Sequence, residues 1–130
     1  LSLHDALPIS EFVCPLCATI HLSGSTITLT SCAMAVMVMT NQSIGFGKMF
    51  PFILMLGVTM VAAPGVPGGA VMAALGILQS MLGFDETMCG LMIALYIAQD
   101  SFGTACNVTG DGAIAVFMDA ITGKKKAAAK

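Results

Sequence analysis

The stretch that decides the fold is APGVPGGA, residues 63–70, which places two prolines and three glycines within an otherwise apolar region. Proline lacks a backbone N–H and clashes with the preceding turn, so a helix does not continue through this stretch. Each flanking arm has about 14–15 apolar residues, or about 21–22 Å of helix. The pattern therefore predicts a hairpin of two short helices, and one helix kinked at the prolines is the alternative.

The composition places this hairpin in a membrane. The chain has 130 residues, of which 57% are hydrophobic and only 9% charged, and its mean hydropathy is +0.93. Soluble domains carry about 25% charged residues. Because a bilayer crossing needs about 20 residues, neither arm spans it, and we expect a re-entrant hairpin in an all-α membrane protein. A net charge of −2 without arginine argues against a nucleic-acid partner.

An apolar block precedes the hairpin, from about Phe12 to Thr40, and polar residues interrupt its middle. The interrupting residues are Thr19, His21, Ser23, Gly24, Ser25 and Thr26. Non-helical backbone at membrane depth is tolerated only where it is buried in protein or lines a watery cavity. We therefore predict a transmembrane helix with an unwound segment; a continuous helix with a polar stripe is the alternative.

A long final transmembrane helix follows, and it carries an unusual polar face. The sequence GFDET at 83–87 predicts its start, with Asp85 or Thr87 as the cap, and Gly123 predicts its end after about Ile121. Within QDSFGTACNVTGD, residues 99–111, helical periodicity places Asp100, Thr104, Asn107 and Asp111 on one face.

Asp100 and Asp111 have no lysine or arginine nearby in the sequence. A charged side chain at the bilayer centre costs at least about 2.5–3.5 kcal/mol. They therefore require a cation from solution, namely a metal ion, a substrate ammonium or a proton. The alternative is that both acids are protonated or face a water-filled groove. Broken helices near the midplane are typical of ion-coupled transporter sites.

Three segments in this order, PLCATIHLSGS (15–25), APGVPGGA and QDSFGTACNVTGD, resemble the dicarboxylate/amino acid:cation symporter family, which includes the glutamate transporters. The resemblance covers about residues 11–121 and matches the seventh transmembrane helix, the second re-entrant hairpin and the eighth transmembrane helix. It implies the C-terminal part of a transport domain, in a homotrimer of elevator-type transporters that is not an enzyme.

The resemblance also implies site residues. One sodium ion would bind the Asp111 carboxylate and the backbone carbonyls of Cys17, His21 and Asn107. A second would bind the carbonyls of Thr19, Met60, Val61 and Ala63. Asp100 would hold the substrate amino group. The other residues of the substrate site would be Ser25, Gly103, Thr104 and Asn107. Val66 and Gly68, at the hairpin tip, would close over the substrate as a gate. Sodium would be the coupling ion, and no other cofactor is expected.

The departures from the family pattern are informative. The family motif Asn-Met-Asp-Gly-Thr reads here His21-Leu22-Ser23-Gly24-Ser25. Leu22 thus replaces the methionine thioether near the second sodium site, and the neutral Ser23 replaces the aspartate that serves a third sodium site. We therefore expect fewer bound sodium ions. His21 would either couple a proton or, more often for such a residue, be hydrogen-bonded structurally. Gly103 stands where acidic-amino-acid transporters carry an arginine that pairs with a substrate carboxylate.

These residues together resemble the serine/threonine branch, and they imply sodium-coupled symport of a small neutral amino acid such as serine, threonine or alanine. A dicarboxylate or acidic amino acid symporter of the same family is the alternative. A membrane thiol-disulfide protein using Cys14 and Cys17 is a more distant one. The 130 residues in isolation are expected to be inactive, because the resemblance accounts for only part of the substrate site.

The two ends of the chain complete the domain prediction. Residues 1–10, LSLHDALPIS, match the translation of a widely used short-read sequencing adapter, so we expect them to be an artefact and the chain to be a C-terminal fragment. Residues 11–123 would form the symporter domain, and residues 124–130 a basic tail. Lysines that follow a membrane helix predict a cytoplasmic C-terminus in a multi-pass protein of the cell membrane.

Overall fold

The computed structural model describes the backbone of residues 3–63 and 66–128 and the side chains of residues 9–63 and 66–122. The described residues form helices and connecting segments without any strand, which confirms the all-α prediction. The elements are α1 (Leu3–Ile20), α2 (Ser23–Met39), α3 (Phe46–Val61), α4 (Gly69–Ile77, continued by a π-helical turn over Leu78–Leu82) and α5 (Glu86–Ala128). Residues 3–10 lie in α1, and their being an artefact stays a prediction.

The predicted break in the first block is confirmed, and it is narrower than expected. Only His21 and Leu22 are non-helical between α1 and α2. The neighbouring polar residues stay helical because their hydroxyls bond the preceding turn: Thr26 Oγ1 donates to the Leu22 carbonyl at 2.9 Å, and Thr28 Oγ1 to the Gly24 carbonyl at 2.9 Å.

The hairpin prediction is also confirmed. The first arm, α3, has 16 residues, and the second has 9 residues in α4 and 5 in the π-helical turn. Lys48 Nζ, near the start of the first arm, donates to the Leu82 carbonyl at the end of the second at 3.0 Å. The arms therefore run back along each other, which excludes one kinked helix. Pro64 and Gly65 of the predicted tip lie outside the described residues.

The last helix begins as predicted and ends later. Asp85 Oδ1 accepts a hydrogen bond from the Met88 N–H at 2.8 Å, as an N-cap residue does. The predicted end after Ile121 is wrong, because α5 continues through Gly123 to Ala128. One glycine costs a helix only about 1 kcal/mol relative to alanine, and the alanines and lysines that follow are strong helix formers. The side chains of Lys124–Lys126 lie outside the described part.

The two hairpin arms, α2 and the first half of α5 share one apolar core. Its largest fully buried side chains are Leu29, Val36, Met37, Phe52, Leu56, Val71, Leu78, Leu82, Met92 and Tyr96. Many large apolar residues remain exposed, among them Val38, Phe46, Val58, Met72 and Phe102. An exposed apolar surface of this extent is typical of a chain that faces lipid or further protein.

Among the described residues, one helical stretch is both long and apolar enough to cross a membrane. It is Ile9–Met39, which has 31 residues and a mean hydropathy of 1.5 and contains the break. The hairpin arms are apolar but shorter. Helix α5 has 43 residues, about 65 Å of helix, and its polar face lowers its hydropathy.

Candidate functional site

The break between α1 and α2 lies against the middle of α5, because two glycines let the helices approach closely. A Cβ added at Gly24 of α2 would collide with the Gly103 carbonyl oxygen of α5 and lie 2.7 Å from Cys106 Cβ. A Cβ at Gly103 would lie 3.3 Å from Thr28 Oγ1 and 3.5 Å from Ser25 N. Gly103 therefore packs at the crossing of α2 and α5.

Asn107 joins α5 to the start of α2. Its Oδ1 accepts a hydrogen bond from the Gly24 N–H at 2.8 Å, and its Nδ2 donates to Ser25 Oγ at 3.1 Å. Both side chains are buried. The first N–H groups of a helix need partners, and Leu22, at the N-cap position of α2, offers no side-chain bond. Asn107 thus caps α2 from the neighbouring helix.

Asp111 has a partner within the chain. His21 Nδ1 and Asp111 Oδ1 are 2.8 Å apart, and both side chains are largely buried, with exposures of 24% and 12%. The expectation that both acids of α5 require a cation from solution stays a prediction, and the structure adds His21 as a partner of Asp111 within the chain. No local pattern indicates this contact, because the two residues are 90 positions apart in the chain. The interpretation of His21 as a hydrogen-bonded residue is confirmed.

Asp100 faces the hairpin tip instead. Its Oδ2 accepts a hydrogen bond from the Gly68 N–H at 3.3 Å, and the carboxylate is partly exposed. Gly68 has a φ of 74°, in the left-handed region that glycine adopts without strain. The contact therefore ties the tip of the hairpin to the middle of α5.

An inner cavity of about 270 Å³ lies between the break, the hairpin tip and α5. Its lining residues are Ala18, His21, Leu22, Ser25, Val66, Pro67, Ala70, Tyr96, Asp100, Thr104, Asn107, Val108 and Asp111. The four polar residues predicted to share one face of α5 all line it. Among the described residues, no lysine or arginine contributes to the lining.

An outer groove of about 820 Å³ adjoins the same residues of α5. Its lining residues are Pro67, Gly68, Ile97, Asp100, Ser101, Thr104, Ala105, Val108 and Thr109. Asp100 and Thr104 line both the groove and the inner cavity, so Asp100 is accessible from either side.

The structure brings most predicted substrate residues together. Asp100, Thr104, Asn107, Ser25 and Val66 line the inner cavity, and Gly68 lines the outer groove. Gly103 lines neither. Tyr96 is a lining residue that the sequence analysis missed, although it lies one turn before Asp100 on the same helix face; helical spacing was the signal that could have found it.

The predicted sodium ligands at Asp111 do not fit a sodium ion in this arrangement. The His21 ring bonds the Asp111 carboxylate, and the His21 N–H donates to the Cys17 carbonyl at 2.7 Å. One oxygen of the Asp111 carboxylate is therefore already engaged by the His21 ring, whereas the Cys17 carbonyl keeps a second lone pair. No group of three or more His, Cys, Asp or Glu residues suited to a metal occurs in the described part of the chain.

The second set of predicted ligands has a chemistry that suits sodium better. Thr19 lies in the last turn of α1, Met60 and Val61 close α3, and Ala63 follows it. Helix C-termini present carbonyl oxygens with a partial negative charge. The Met60 carbonyl accepts the Ala63 N–H at 3.2 Å, which leaves a second lone pair on that oxygen.

The cysteines of the alternative thiol-disulfide interpretation are free thiols. Cys14 is exposed and Cys17 is buried, one turn apart on α1. Cys32, Cys89 and Cys106 are free as well.

Comparison with known proteins agrees with the broken helix, the hairpin and the polar face of α5. A family model described as the sodium:dicarboxylate symporter family matches residues 7–121. The chain belongs to the sodium:dicarboxylate symporter family. No solved structure matches it.

Several curated transporters are similar to this chain over most of its length. Neutral amino acid transporter A of Homo sapiens is 29% identical over 103 residues, which are 79% of this chain and 19% of that protein. Excitatory amino acid transporter 5 of Mus musculus is 28% identical over 110 residues, 85% of this chain and 20% of that protein. Neutral amino acid transporter B(0) of Oryctolagus cuniculus is 28% identical over 103 residues. The chain spans about a fifth of the length of these relatives.

Proposed function

We propose that this chain forms the C-terminal part of the transport domain of a secondary active transporter, which carries a small neutral amino acid into the cell together with sodium. The observation that carries the proposal is the inner cavity, where the partly exposed Asp100 lies beside Thr104 and the described lining residues include no lysine or arginine. A carboxylate in such a cavity binds the ammonium group of an amino acid and repels a dicarboxylate that lacks one.

The choice of a neutral substrate rests on the same lining. An acidic amino acid brings a second carboxylate, and the described lining of the inner cavity and the outer groove contains no lysine or arginine to pair with it. Serine, threonine and alanine bring no such charge. Two of the three relatives named above are neutral amino acid transporters by name, and the third is an excitatory amino acid transporter.

Closure of the hairpin follows from the Gly68–Asp100 contact. When a substrate ammonium binds Asp100, the tip at Val66 and Gly68 lies over it and separates it from water. Sodium is the co-transported ion, and the carbonyl oxygens at the ends of α1 and α3 are the hard donors that suit it. Coupling is then the difference that sodium makes to the free energy of tip closure.

The proposal extends to the whole transporter. The short arms favour a re-entrant hairpin, since neither reaches across about 30 Å of hydrocarbon. The lysines after the last helix favour a cytoplasmic C-terminus in a multi-pass protein of the cell membrane. The family resemblance favours a homotrimer that moves its substrate by an elevator mechanism and catalyses no reaction.

Competition for uptake tests the substrate assignment. Vesicles reconstituted with the full-length transporter take up labelled serine in sodium medium while unlabelled serine, alanine, aspartate or succinate is added. We expect serine and alanine to compete and aspartate and succinate to have no effect. Competition by aspartate or succinate in the wild type would instead support the acidic or dicarboxylate alternative.

A variant sharpens this test. Gly103→Arg introduces a guanidinium at the crossing of α2 and α5, beside the cavity-lining residue Ser25, and we expect aspartate to become a competitor. Gly103→Ala is the matched control, because it adds the Cβ at the same helix crossing without the charge. Serine uptake that is retained in Gly103→Arg with no competition by aspartate would reject the role of this position in specificity.

A further inference from the structure

We propose that the His21 imidazole takes the place at Asp111 that a sodium ion would otherwise occupy, so that this transporter binds one sodium ion fewer than it would with a smaller residue at position 21. The inference rests on the proposed sodium coupling and specifies its stoichiometry. This change in sodium stoichiometry is separate from the one expected at the third sodium site, where Ser23 replaces the aspartate of the family motif.

The ring is held in place by the local backbone. His21 lies in the two-residue break, where its backbone departs from the helix, and its side chain extends onto α5. A Cβ at Gly110 would collide with His21 Cε1 and lie 3.3 Å from Nδ1 and 3.4 Å from Nε2. The imidazole therefore packs against Gly110, directly before Asp111.

This position blocks the approach of a cation to the same carboxylate oxygen. The Nδ1–Oδ1 distance of 2.8 Å is that of a hydrogen bond. A hard cation such as calcium binds carboxylate oxygens at about 2.3–2.6 Å, so an ion at Oδ1 would have to displace the ring.

The two acids of α5 are therefore divided between two roles. Asp111 has the His21 side chain as an internal partner, whereas Asp100 is bonded by a backbone N–H at 3.3 Å and lines both the cavity and the groove. Asp100 remains for the substrate, and Asp111 is occupied by the chain itself.

Equilibrium binding of radiolabelled sodium to the purified full-length transporter, without substrate, tests the inference. His21→Asn replaces the ring with a shorter side chain whose amide oxygen is itself a hard donor, and we expect one additional sodium ion per subunit. Gly112→Ala is the control, because a Cβ there meets nothing within 4 Å; we expect its sodium count to equal that of the wild type.

The inference would be overturned if His21→Asn and the wild type bound the same number of sodium ions per subunit, or if neither bound any. Should His21→Asn fail to fold, Gly110→Ala replaces it, because its methyl group displaces the ring while His21 and Asp111 stay unchanged. The same gain of one ion is then expected, and an unchanged count overturns the inference. Sodium-dependent uptake by the wild type is measured separately, so a failure of the proposed function is recognised independently.

Discussion

At the residue scale, the polar face of α5 is defined by the partner of each side chain. Asn107 bonds α2 through both ends of its amide, and Asp111 bonds His21. Asp100 differs, since its carboxylate accepts the Gly68 N–H at 3.3 Å and remains partly exposed. We therefore assign substrate binding chiefly to Asp100, with Asn107 and Asp111 holding the break of the first block in position.

Asp100→Asn should weaken amino acid binding by about tenfold to a hundredfold. A hydrogen bond to a charged group contributes about 1.5–3 kcal/mol, and each 1.4 kcal/mol is a factor of ten in affinity. Uptake of labelled serine over a range of concentrations gives the change in apparent affinity. Asp119→Asn is the matched control, because Asp119 lies on the same helix and lines neither the cavity nor the groove. Equal losses in both variants would contradict the assignment.

At the element scale, two interruptions of helix create the site. The break at His21 and Leu22 brings the end of α1 and the start of α2 to α5, and the hairpin tip covers Asp100. The helices themselves supply the rigid frame, because α2 and α5 meet closely at Gly24 and Gly103.

Gly24→Ala should destabilise the protein by about 1–3 kcal/mol, because overpacking a close helix crossing forces the two backbones apart. The thermal unfolding midpoint in detergent measures this. Gly90→Ala is the control on α5, since its Cβ would meet nothing within 4 Å. An unfolding midpoint of Gly24→Ala equal to that of Gly90→Ala would show that α2 and α5 do not cross as described.

Gly68→Ala should impair closure of the hairpin tip. Position 68 has a φ of 74°, and a residue with a Cβ in the left-handed region costs about 1–2 kcal/mol. We expect apparent substrate affinity to fall by about 5- to 30-fold. Gly76→Ala, in the second arm and with open space around its Cβ, should bind substrate as the wild type does. A Gly68→Ala variant with unchanged affinity would contradict the role of the tip.

The sequence predicted those features that depend on local chemistry. Prolines and glycines predicted the hairpin, polar residues in an apolar block predicted the break, and helical spacing predicted the common face of Asp100 and Asp111. Local chemistry was a poor guide to the end of α5, where one glycine proved too weak a signal. It also failed for the His21–Asp111 contact, because that contact depends on the packing of segments 90 residues apart.

At the scale of the whole molecule, the described helices form one wall of the proposed substrate site. The inner cavity is bounded by the break, the tip and α5, whereas the outer groove is lined by the tip and α5. Many large apolar side chains on the outside remain exposed, which fits lipid and further transporter segments around them. The chain spans only about a fifth of its relatives, so transport itself has to be measured on the full-length protein.

The most direct test is uptake of labelled serine by vesicles reconstituted with the full-length transporter, in sodium and in choline media at a constant proton gradient. If small cations bound near the broken helices drive the transport cycle, uptake is strong in sodium and falls to the level of protein-free vesicles in choline. Equal uptake in the two media would contradict sodium coupling through this site.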